Sequence, residues 1–341
     1  MIYREEDCVS QPYKQNYLDG IEKLIEKKQK EAEAIRKEYA KSIFSDSERY
    51  REQFKAMLGW PLTEKRDTTP PEVKFTKLAS EDEYDIYRAE VDILDGLILS
   101  GIFFKIHGDE PRPFVIVQHG GLGTPELIAG MRGDGSTGNY SDMLPRTLKY
   151  GVHVFAPQLL LWNTAIFGVE HERKDIDARL KRLGSSITAI EVHGLMRIYD
   201  YFEAQDYVST LGMLGLSYGG FYTLFTSAID TRIKSSVACS FFNARDKVPW
   251  CDWVWFNSGY KFDDAEIACL IYPRRITFQM GDKDKLFDHT ESTRSYEKIK
   301  SYCQAAGVSD DWVEHLVFEG THEFYTPDDA PIERMINDLK N

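Results

Sequence analysis

Residues 210–220 read TLGMLGLSYGG. Residues 210–214 form a short apolar run that predicts a strand, and a helical pattern begins near Tyr218. Glycines stand two residues before and two residues after Ser217, where any side chain would collide with the backbone of a tight turn. The stretch therefore predicts a strand, a sharp turn and a helix, with the Ser217 hydroxyl projecting above a sheet.

Strand and helix patterns alternate around this turn. Residues 114–117, Phe-Val-Ile-Val, form a continuous apolar run of the kind found in buried parallel strands. Further strands are predicted at 152–156, 209–215, 234–240, 275–280 and 313–318, and helices at 138–150, 186–204, 218–229, 288–306 and 328–340. Alternation of this kind predicts a mostly parallel, doubly wound α/β sheet.

A β-hairpin is predicted ahead of the alternating region. Residues 84–94 and 97–106 are rich in β-branched and aromatic residues, and Asp95-Gly96 joins them. An Asp-Gly pair between two such runs is a strong hairpin signal, because both positions tolerate positive φ.

Residues 1–62 are predicted to form a helical N-terminal extension. Residues 14–44 are rich in Glu and Lys, with a patchy apolar stripe that suits a solvated helix. Ser45 and Glu48 are placed as a capping box for a second helix, which Gly59 ends. A contact between copies of the chain, giving a homo-oligomer, is compatible with such an extension.

The main domain is predicted to span residues 63–341, beginning with a polar linker at 63–72. Longer interruptions at 157–185 and 241–272 are read as insertions that could form a lid. The second contains a tryptophan-rich segment at 250–255. Such a cluster fits a sugar-stacking platform, although aromatic clusters more often belong to a core or a subunit contact.

Composition excludes several classes of protein and partner. The chain has 341 residues, of which 42% are hydrophobic and 13% aromatic, so it is not a disordered protein. A net charge of -13 repels phosphate backbones and anionic lipids, so neither nucleic acid nor a membrane surface is expected as a partner. The five cysteines are widely spaced and include no CxxC pair, which argues against disulfides and structural zinc.

No targeting segment is visible. The first residues carry mixed charges without an apolar run, and no stretch of about 18 apolar residues suggests a transmembrane helix. We therefore expect a cytoplasmic location, unless a signal peptide has been removed.

A nucleophilic serine needs a base, and three histidines lie far enough along the chain. His289 stands where a helix should begin, and His315 lies inside a predicted strand. His322 follows that strand in a loop, from which an imidazole can reach Ser217 at the edge of the sheet. We predict His322 as the base.

The acid that orients this histidine is expected in the sequence Gly-Asp-Lys-Asp at 281–284, directly after a predicted strand. Asp284 is the predicted residue because it stands clear of the strand end. Asp282 is the alternative.

The oxyanion of an acyl-transfer reaction needs two backbone N–H donors. One is the residue after the nucleophile, Tyr218. The second is expected in the loop His-Gly-Gly at 119–121, which directly follows the strand at 114–118. Gly121 is the predicted donor, and His119 is predicted to be structural because it opens the loop.

With these residues in place, the chain resembles the α/β-hydrolase superfamily, and within it the dienelactone-hydrolase and acetyl-xylan-esterase-like branch. The resemblance covers about residues 75–341. It rests on HGG at 119–121, GLSYGG at 215–220, YPR at 272–274, GDKD at 281–284 and GTHEF at 320–324. It implies ester hydrolysis through an acyl-enzyme, with Ser217, Asp284 and His322 as the triad. Dienelactone hydrolases commonly use a cysteine nucleophile, and here the residue is serine.

A second glycine motif raises the alternative of a dinucleotide-binding site. Residues 133–138 match GxGxxG, but no buried strand precedes them, so a flexible loop is predicted instead of a dinucleotide site. Asn139-Tyr140-Ser141 is a glycosylation sequon, without consequence in the cytoplasm. No metal or organic cofactor is expected.

The leading hypothesis is a serine hydrolase that cleaves a carboxylic ester, such as an acetylated carbohydrate or a related small ester. A serine peptidase of the prolyl-oligopeptidase-like type is an alternative, but the residues before about 75 are too few for a β-propeller gate. A non-catalytic binding protein on the same fold is the other alternative. Such proteins typically lose a triad member, and here all candidates are present.

Overall fold

The computed structural model describes residues 2–162, 169–248 and 250–341. Its strands are β1 (Val73–Ser80), β2 (Tyr84–Leu94), β3 (Leu97–Ile106), β4 (Arg112–Gln118), β5 (His153–Pro157), β6 (Val208–Leu216), β7 (Ile233–Cys239), β8 (Arg275–Gly281) and β9 (Val313–Phe318). These described strands form one sheet in the order β1-β2-β3-β5-β4-β6-β7-β8-β9. The pairings from β5 to β9 are parallel, and those among β1, β2, β3 and β5 are antiparallel.

Helices cover both faces of the sheet. They are α1 (Gln11–Lys37), α2 (Ser47–Leu58), α3 (Pro125–Ile128), α4 (Met143–Leu148), α5 (Arg173–Lys181), α6 (Ile187–Glu203), α7 (Tyr218–Ile229), α8 (Ser258–Lys261), α9 (Asp264–Cys269), α10 (His289–Ala306) and α11 (Ala330–Lys340). Short 3-10 helices lie at Glu38–Lys41, Gly138–Tyr140, Arg245–Lys247 and Cys251–Trp253. No helix among the described residues is both long enough and apolar enough to cross a membrane.

Strand β4 shows why the sheet needs cover on both sides. Phe114 and Ile116 point into a core that also contains side chains of α2, α6, α7, α9 and α10. Val115 and Val117 point into the core on the opposite face, against α3, α4 and α11. Successive side chains of a strand alternate between faces, so this uninterrupted apolar run can be buried only between two helical layers. The predicted doubly wound, mostly parallel α/β architecture is confirmed.

The predicted hairpin is confirmed at residue level. Strands β2 and β3 pair antiparallel, with Leu94 opposite Leu97. Asp95 and Gly96 adopt φ of 46° and 83°, as a two-residue turn with positive φ at both positions requires. Strand β1, at the edge of the sheet, is absent from the sequence prediction. Its residues are mostly exposed, and polar side chains on an edge strand hide the apolar alternation.

Two local predictions are wrong. The capping box of Ser45 and Glu48 does not form, because the helix begins one residue later, after Asp46. The Ser45 hydroxyl instead donates to the Ser42 carbonyl, with 3.3 Å between the oxygens.

The continuous helix predicted at 138–150 is also wrong. It is interrupted at Ser141 and Asp142, whose φ values are 48° and 54°. The Thr137 hydroxyl closes this turn. It donates to Asp142 Oδ1 at 2.6 Å and accepts the Asp142 N–H at 3.0 Å. A side chain thus competes with the helical hydrogen-bond pattern.

Helix α7 approaches the sheet so closely that three glycines are required. A Cβ on Gly215 would lie 2.5 Å from the Gly219 carbonyl carbon, and one on Gly219 would lie 2.1 Å from the Gln118 oxygen. A Cβ on Gly220 would lie 2.6 Å from the Cys239 oxygen in β7. The nearest clashing atom in each case belongs to the backbone, which cannot move without disturbing the sheet.

We predict that Gly219→Ala lowers the free energy of unfolding by about 3 kcal/mol, because the new methyl group overlaps the backbone of β4. Gly133→Ala is the matched control, since its Cβ would meet nothing within 4 Å. Urea denaturation followed by circular dichroism measures both. Equal midpoints for the two variants would contradict the prediction.

Candidate active site

Ser217 occupies the turn between β6 and α7 with an unusual backbone conformation. Its φ and ψ are 61° and -120°, a region that costs a non-glycine residue about 1–3 kcal/mol. The Ser217 N–H donates to the Cys239 carbonyl at 2.8 Å, which holds the turn against β7. The residue is only 8% exposed, with its hydroxyl at the C-terminal edge of the parallel strands. The predicted strand, turn and helix are all present at this point.

The loops after β8 and β9 bring a carboxylate and an imidazole together. His322 Nδ1 lies 2.8 Å from Asp284 Oδ2, the distance of a short charge-assisted hydrogen bond. The other carboxylate oxygen of Asp284 accepts the N–H groups of Leu286 at 2.8 Å and Phe287 at 3.2 Å. The Asp284 side chain is fully buried, so its position is fixed. An Nδ1–H bonded to the carboxylate leaves Nε2 as the basic nitrogen of His322.

The other candidates from the sequence occupy different places. Asp282 Oδ1 accepts the Gly320 N–H at 3.0 Å and thereby joins the loops after β8 and β9. His315 Nε2 lies 2.7 Å from the Ser292 hydroxyl, and its ring stacks on Tyr296. Burial lowers the pKa of His315 to about 4. His289 is the first residue of α10.

Ser217 and His322 share one edge of the sheet without a direct bond. Among the described residues, no hydrogen bond joins the Ser217 hydroxyl to the His322 ring. They are linked through Cys239, whose carbonyl accepts the Ser217 N–H and whose thiol donates to the Glu323 carbonyl at 3.2 Å. Catalytic hydrogen bonds often tighten only when substrate is bound.

The loop at 119–121 lies directly against Ser217. A Cβ on Gly120 would be 3.0 Å from Ser217 Cβ, a distance tighter than ordinary van der Waals contact. The Gly121 carbonyl accepts the Trp162 N–H at 2.8 Å. Tyr218 is the first residue of α7, where an N–H has no partner within its own helix. The predicted donor Gly121 thus follows a glycine that lies against Ser217, and the predicted donor Tyr218 directly follows Ser217 in the chain.

His119 is buried behind this loop. Its Nδ1 lies 2.8 Å from the Gly120 carbonyl. Burial lowers the pKa of His119 to about 4, so the ring is neutral at pH 7. This placement agrees with a structural role for the residue.

Two residues beside the site were not predicted from the sequence. The Tyr140 hydroxyl accepts the Gly120 N–H at 2.9 Å, and Asn139 Nδ2 donates to the His322 carbonyl at 2.8 Å. The preceding glycine-rich run favours a flexible loop, and the Asn139 sequon carries no structural meaning. Contacts between segments up to 183 residues apart leave no local signal in a single sequence.

Aromatic side chains from the two predicted insertions, 157–185 and 241–272, pack on Tyr218 beside Ser217. The Trp250 ring stacks on Tyr218, with centroids 5.8 Å apart, and Trp162 meets both rings edge-on. Trp253 and Trp255 are buried and belong to the core. The tryptophan-rich segment is thus divided between core and site. Part of the predicted lid insertion, residues 163–168, lies outside the described residues.

A buried ionic network fixes the insertions beneath these rings. The Arg173 guanidinium lies 2.8 Å from Asp252 and 3.0 Å from Glu191, and all three side chains are almost fully buried. The Tyr218 hydroxyl donates to Asp252 at 2.6 Å, and Tyr222 donates to Glu191. Burial raises the pKa of Glu191, and Arg173 opposes this shift. The network joins both insertions to the helix that begins next to Ser217.

Solved structures of several esterases have an architecture similar to this one at low sequence identity. No protein-family model matches the chain, and no curated protein matches it in sequence. Its structure is similar to a promiscuous CE15 esterase from a marine bacterial metagenome, with a TM-score of 0.63, 14% identity, and coverage of 88% of this chain and 92% of that one. It is similar to a glucuronoyl esterase from Solibacter usitatus, with a TM-score of 0.62, 14% identity and coverage of 88% and 93%. Acetyl xylan esterase 1 from Thermoanaerobacterium sp. JW/SL YS485 matches with a TM-score of 0.53, 14% identity and coverage of 86% and 94%.

The chain has the α/β-hydrolase fold. In this fold the nucleophile stands on a strand-to-helix turn, and the acid and the histidine follow it in that order along the chain. Ser217, Asp284 and His322 occur in that order, and the turn at Ser217 has the expected conformation. Among the described residues, no three His, Cys, Asp or Glu side chains are grouped as metal ligands would be.

We predict that Arg173→Gln lowers the free energy of unfolding by about 3–5 kcal/mol at pH 8, because two carboxylates lose their buried partner. The loss should shrink as the pH falls toward 4.5, the ordinary pKa of Glu191. A carboxyl whose folded pKa is raised binds protons more readily when folded, so its unfavourable contribution grows as pH rises.

The exposed Arg182, in the segment after α5, provides the control, and Arg182→Gln should change stability little. Urea denaturation of both variants at several pH values measures the effect. A loss for Arg173→Gln that is constant with pH would contradict it.

Proposed function

We propose that the protein is a serine hydrolase that cleaves a carboxylic ester through an acyl-serine intermediate. The observation that carries the proposal is the Asp284–His322 hydrogen bond of 2.8 Å, on the same sheet edge as the strained Ser217 turn. A carboxylate fixes the tautomer of the imidazole and stabilises the imidazolium that forms when the serine loses its proton. The esterase activity named for the structurally similar proteins supports the same reaction class.

The geometry supports the following acylation step. Ser217 Oγ attacks the acyl carbon while its proton passes to His322 Nε2, and the carbonyl π pair moves onto oxygen. The N–H groups of Gly121 and Tyr218 stabilise the resulting oxyanion. When the tetrahedral intermediate collapses, the bond to the leaving alcohol breaks and His322 returns the proton to that alcohol.

Water then repeats the sequence on the acyl-serine. His322 takes a proton from the attacking water, and the carboxylic acid leaves as Ser217 regains its hydrogen. These steps need no group beyond the protein and water. Asp284 accepts the hydrogen bond from His322 Nδ1 throughout and holds the ring in place.

For substrate we propose a small ester, such as an acetylated carbohydrate. The support is the pair of half-buried rings Trp162 and Trp250, which pack on each other and on Tyr218, because aromatic rings beside a site can stack on a sugar ring. The names of the similar proteins, glucuronoyl esterase and acetyl xylan esterase, point to carbohydrate esters as well. Hydrolysis rates over a p-nitrophenyl ester series from acetyl to octanoyl measure this preference, and acetyl should react fastest.

A fluorophosphonate probe tests the nucleophile. The wild-type protein should be labelled covalently, because the probe reacts only with an activated serine. Ser217→Ala should abolish labelling, as read by in-gel fluorescence and by peptide mass. Unlabelled wild type, or equal labelling of the variant, would refute the serine hydrolase assignment and favour a non-catalytic protein.

Variants of the two aspartates at 281–284 distinguish the proposed catalytic acid from a residue that only holds the loop. Asp284→Asn should lower kcat for p-nitrophenyl acetate by about 10³- to 10⁴-fold, because an amide stabilises the wrong imidazole tautomer. Asp282→Asn retains an oxygen that can accept the Gly320 N–H and should lose far less activity. Similar losses in both variants would contradict the role of Asp284.

A further inference from the structure

The short 3-10 helix Gly138–Tyr140 lies between the two loops of the proposed site. The Tyr140 hydroxyl accepts the N–H of Gly120, at 2.9 Å, in the loop that carries the predicted oxyanion donor Gly121. Asn139 holds the histidine loop through two bonds. Its Nδ2 donates to the His322 carbonyl at 2.8 Å, and its own carbonyl accepts the Phe324 N–H at 2.9 Å. Two consecutive residues therefore bind the oxyanion loop and the base loop.

The Tyr140 hydroxyl is tightly enclosed by the oxyanion loop. A Cβ on Gly123 would lie 2.1 Å from the Tyr140 oxygen, and one on Gly120 would lie 3.3 Å from it. The residue is 3% exposed, and burial raises the pKa of its hydroxyl, so the group stays neutral. Loop and hydroxyl therefore fix each other's positions.

The helix is itself anchored at its C-terminal end. The mutual hydrogen bonds of Thr137 and Asp142 close the turn that follows it. Arg146, in α4, donates to the Ser141 carbonyl at 3.1 Å and to the Tyr325 carbonyl at 2.7 Å. The turn is thus bonded to the chain immediately after the base loop, which makes the connection rigid.

We propose that Asn139 and Tyr140 form a positioning clamp that sets the distance between the base His322 and the oxyanion donor Gly121. This inference rests on the proposed function. Neither residue reacts with substrate, and both act through the backbone of a neighbouring loop. Donors aimed at a transition state lose much of their effect when displaced by a fraction of an ångström, and a misplacement of about 1 Å can cost a hundredfold in rate.

Single variants test the two halves of the clamp. Tyr140→Phe removes the acceptor of the Gly120 N–H, and Asn139→Ala removes the donor to the His322 carbonyl. Each should lower kcat for p-nitrophenyl acetate by about 10- to 100-fold with KM within about twofold, because positioning acts on the transition state.

Two controls separate positioning from stability. Tyr199→Phe removes another buried hydroxyl, which donates to the Gly212 carbonyl at 2.7 Å within the core. Asp134→Ala removes a hydrogen bond to the Ser136 N–H in the exposed loop just before the clamp. Both should keep kcat, although Tyr199→Phe should lower the melting temperature at least as much as Tyr140→Phe.

The double variant tests whether the two residues act as one unit. If they do, releasing either loop already loosens the spacing, so the double variant should lose little more than the worse single variant. Losses that multiply, or clamp variants with kcat within about twofold of wild type, would overturn the clamp while leaving the hydrolase assignment intact. Wild type that neither turns over the ester nor labels with fluorophosphonate would overturn both proposals.

Discussion

The close contact between helix α7 and the carboxyl ends of the central strands fixes the backbone of Ser217 and of the residues next to it. Gly219 lies so close to β4 that its Cβ would overlap the Gln118 oxygen at 2.1 Å. Because the helix packs this closely, Ser217 is the single residue between β6 and α7, and its backbone is held in a strained conformation. The energy of that strain is supplied by the packing of α7, every residue of which is buried. The hydroxyl position is therefore a consequence of how one helix packs on one sheet.

The remaining site residues depend on the same edge in a different way. Asp284, His322 and the glycines of the 119–121 loop all follow strands of the parallel part of the sheet. Parallel strands end at the same edge of the sheet, so loops that are distant in sequence lie close together there. Hydrogen bonds between these loops then define the geometry, as the bond from Asp284 to His322 shows. The fold brings these loops close together, and hydrogen bonds between them set the positions of the site residues.

Features of this chain that have local causes could be predicted from its sequence. The Asp95-Gly96 turn needs two positive φ values, and helix α7 is matched at both ends because the glycine pattern and the apolar run leave no alternative. Asp284 could be preferred to Asp282 only by its distance from the strand end, and the structure shows Asp284 bonded to His322.

What could not be foreseen depends on long-range contacts. The break at Ser141 comes from a side-chain hydrogen bond that competes with a helix. Asn139 and Tyr140 meet partners brought close only by the folded sheet, and Arg173 finds its carboxylates in two separate segments. No periodicity in a single sequence encodes such pairings.

The ionic network around Arg173 also limits how this scaffold can be remodelled. Arg173 belongs to one insertion, Asp252 to the other, and Glu191 to the helix beneath them. Exchanging either segment for an unrelated loop would leave a charge buried without its counterpart. The segments 157–185 and 241–272 are therefore coupled through buried charge, and a graft must move both together or replace all three charges with apolar side chains of matching volume.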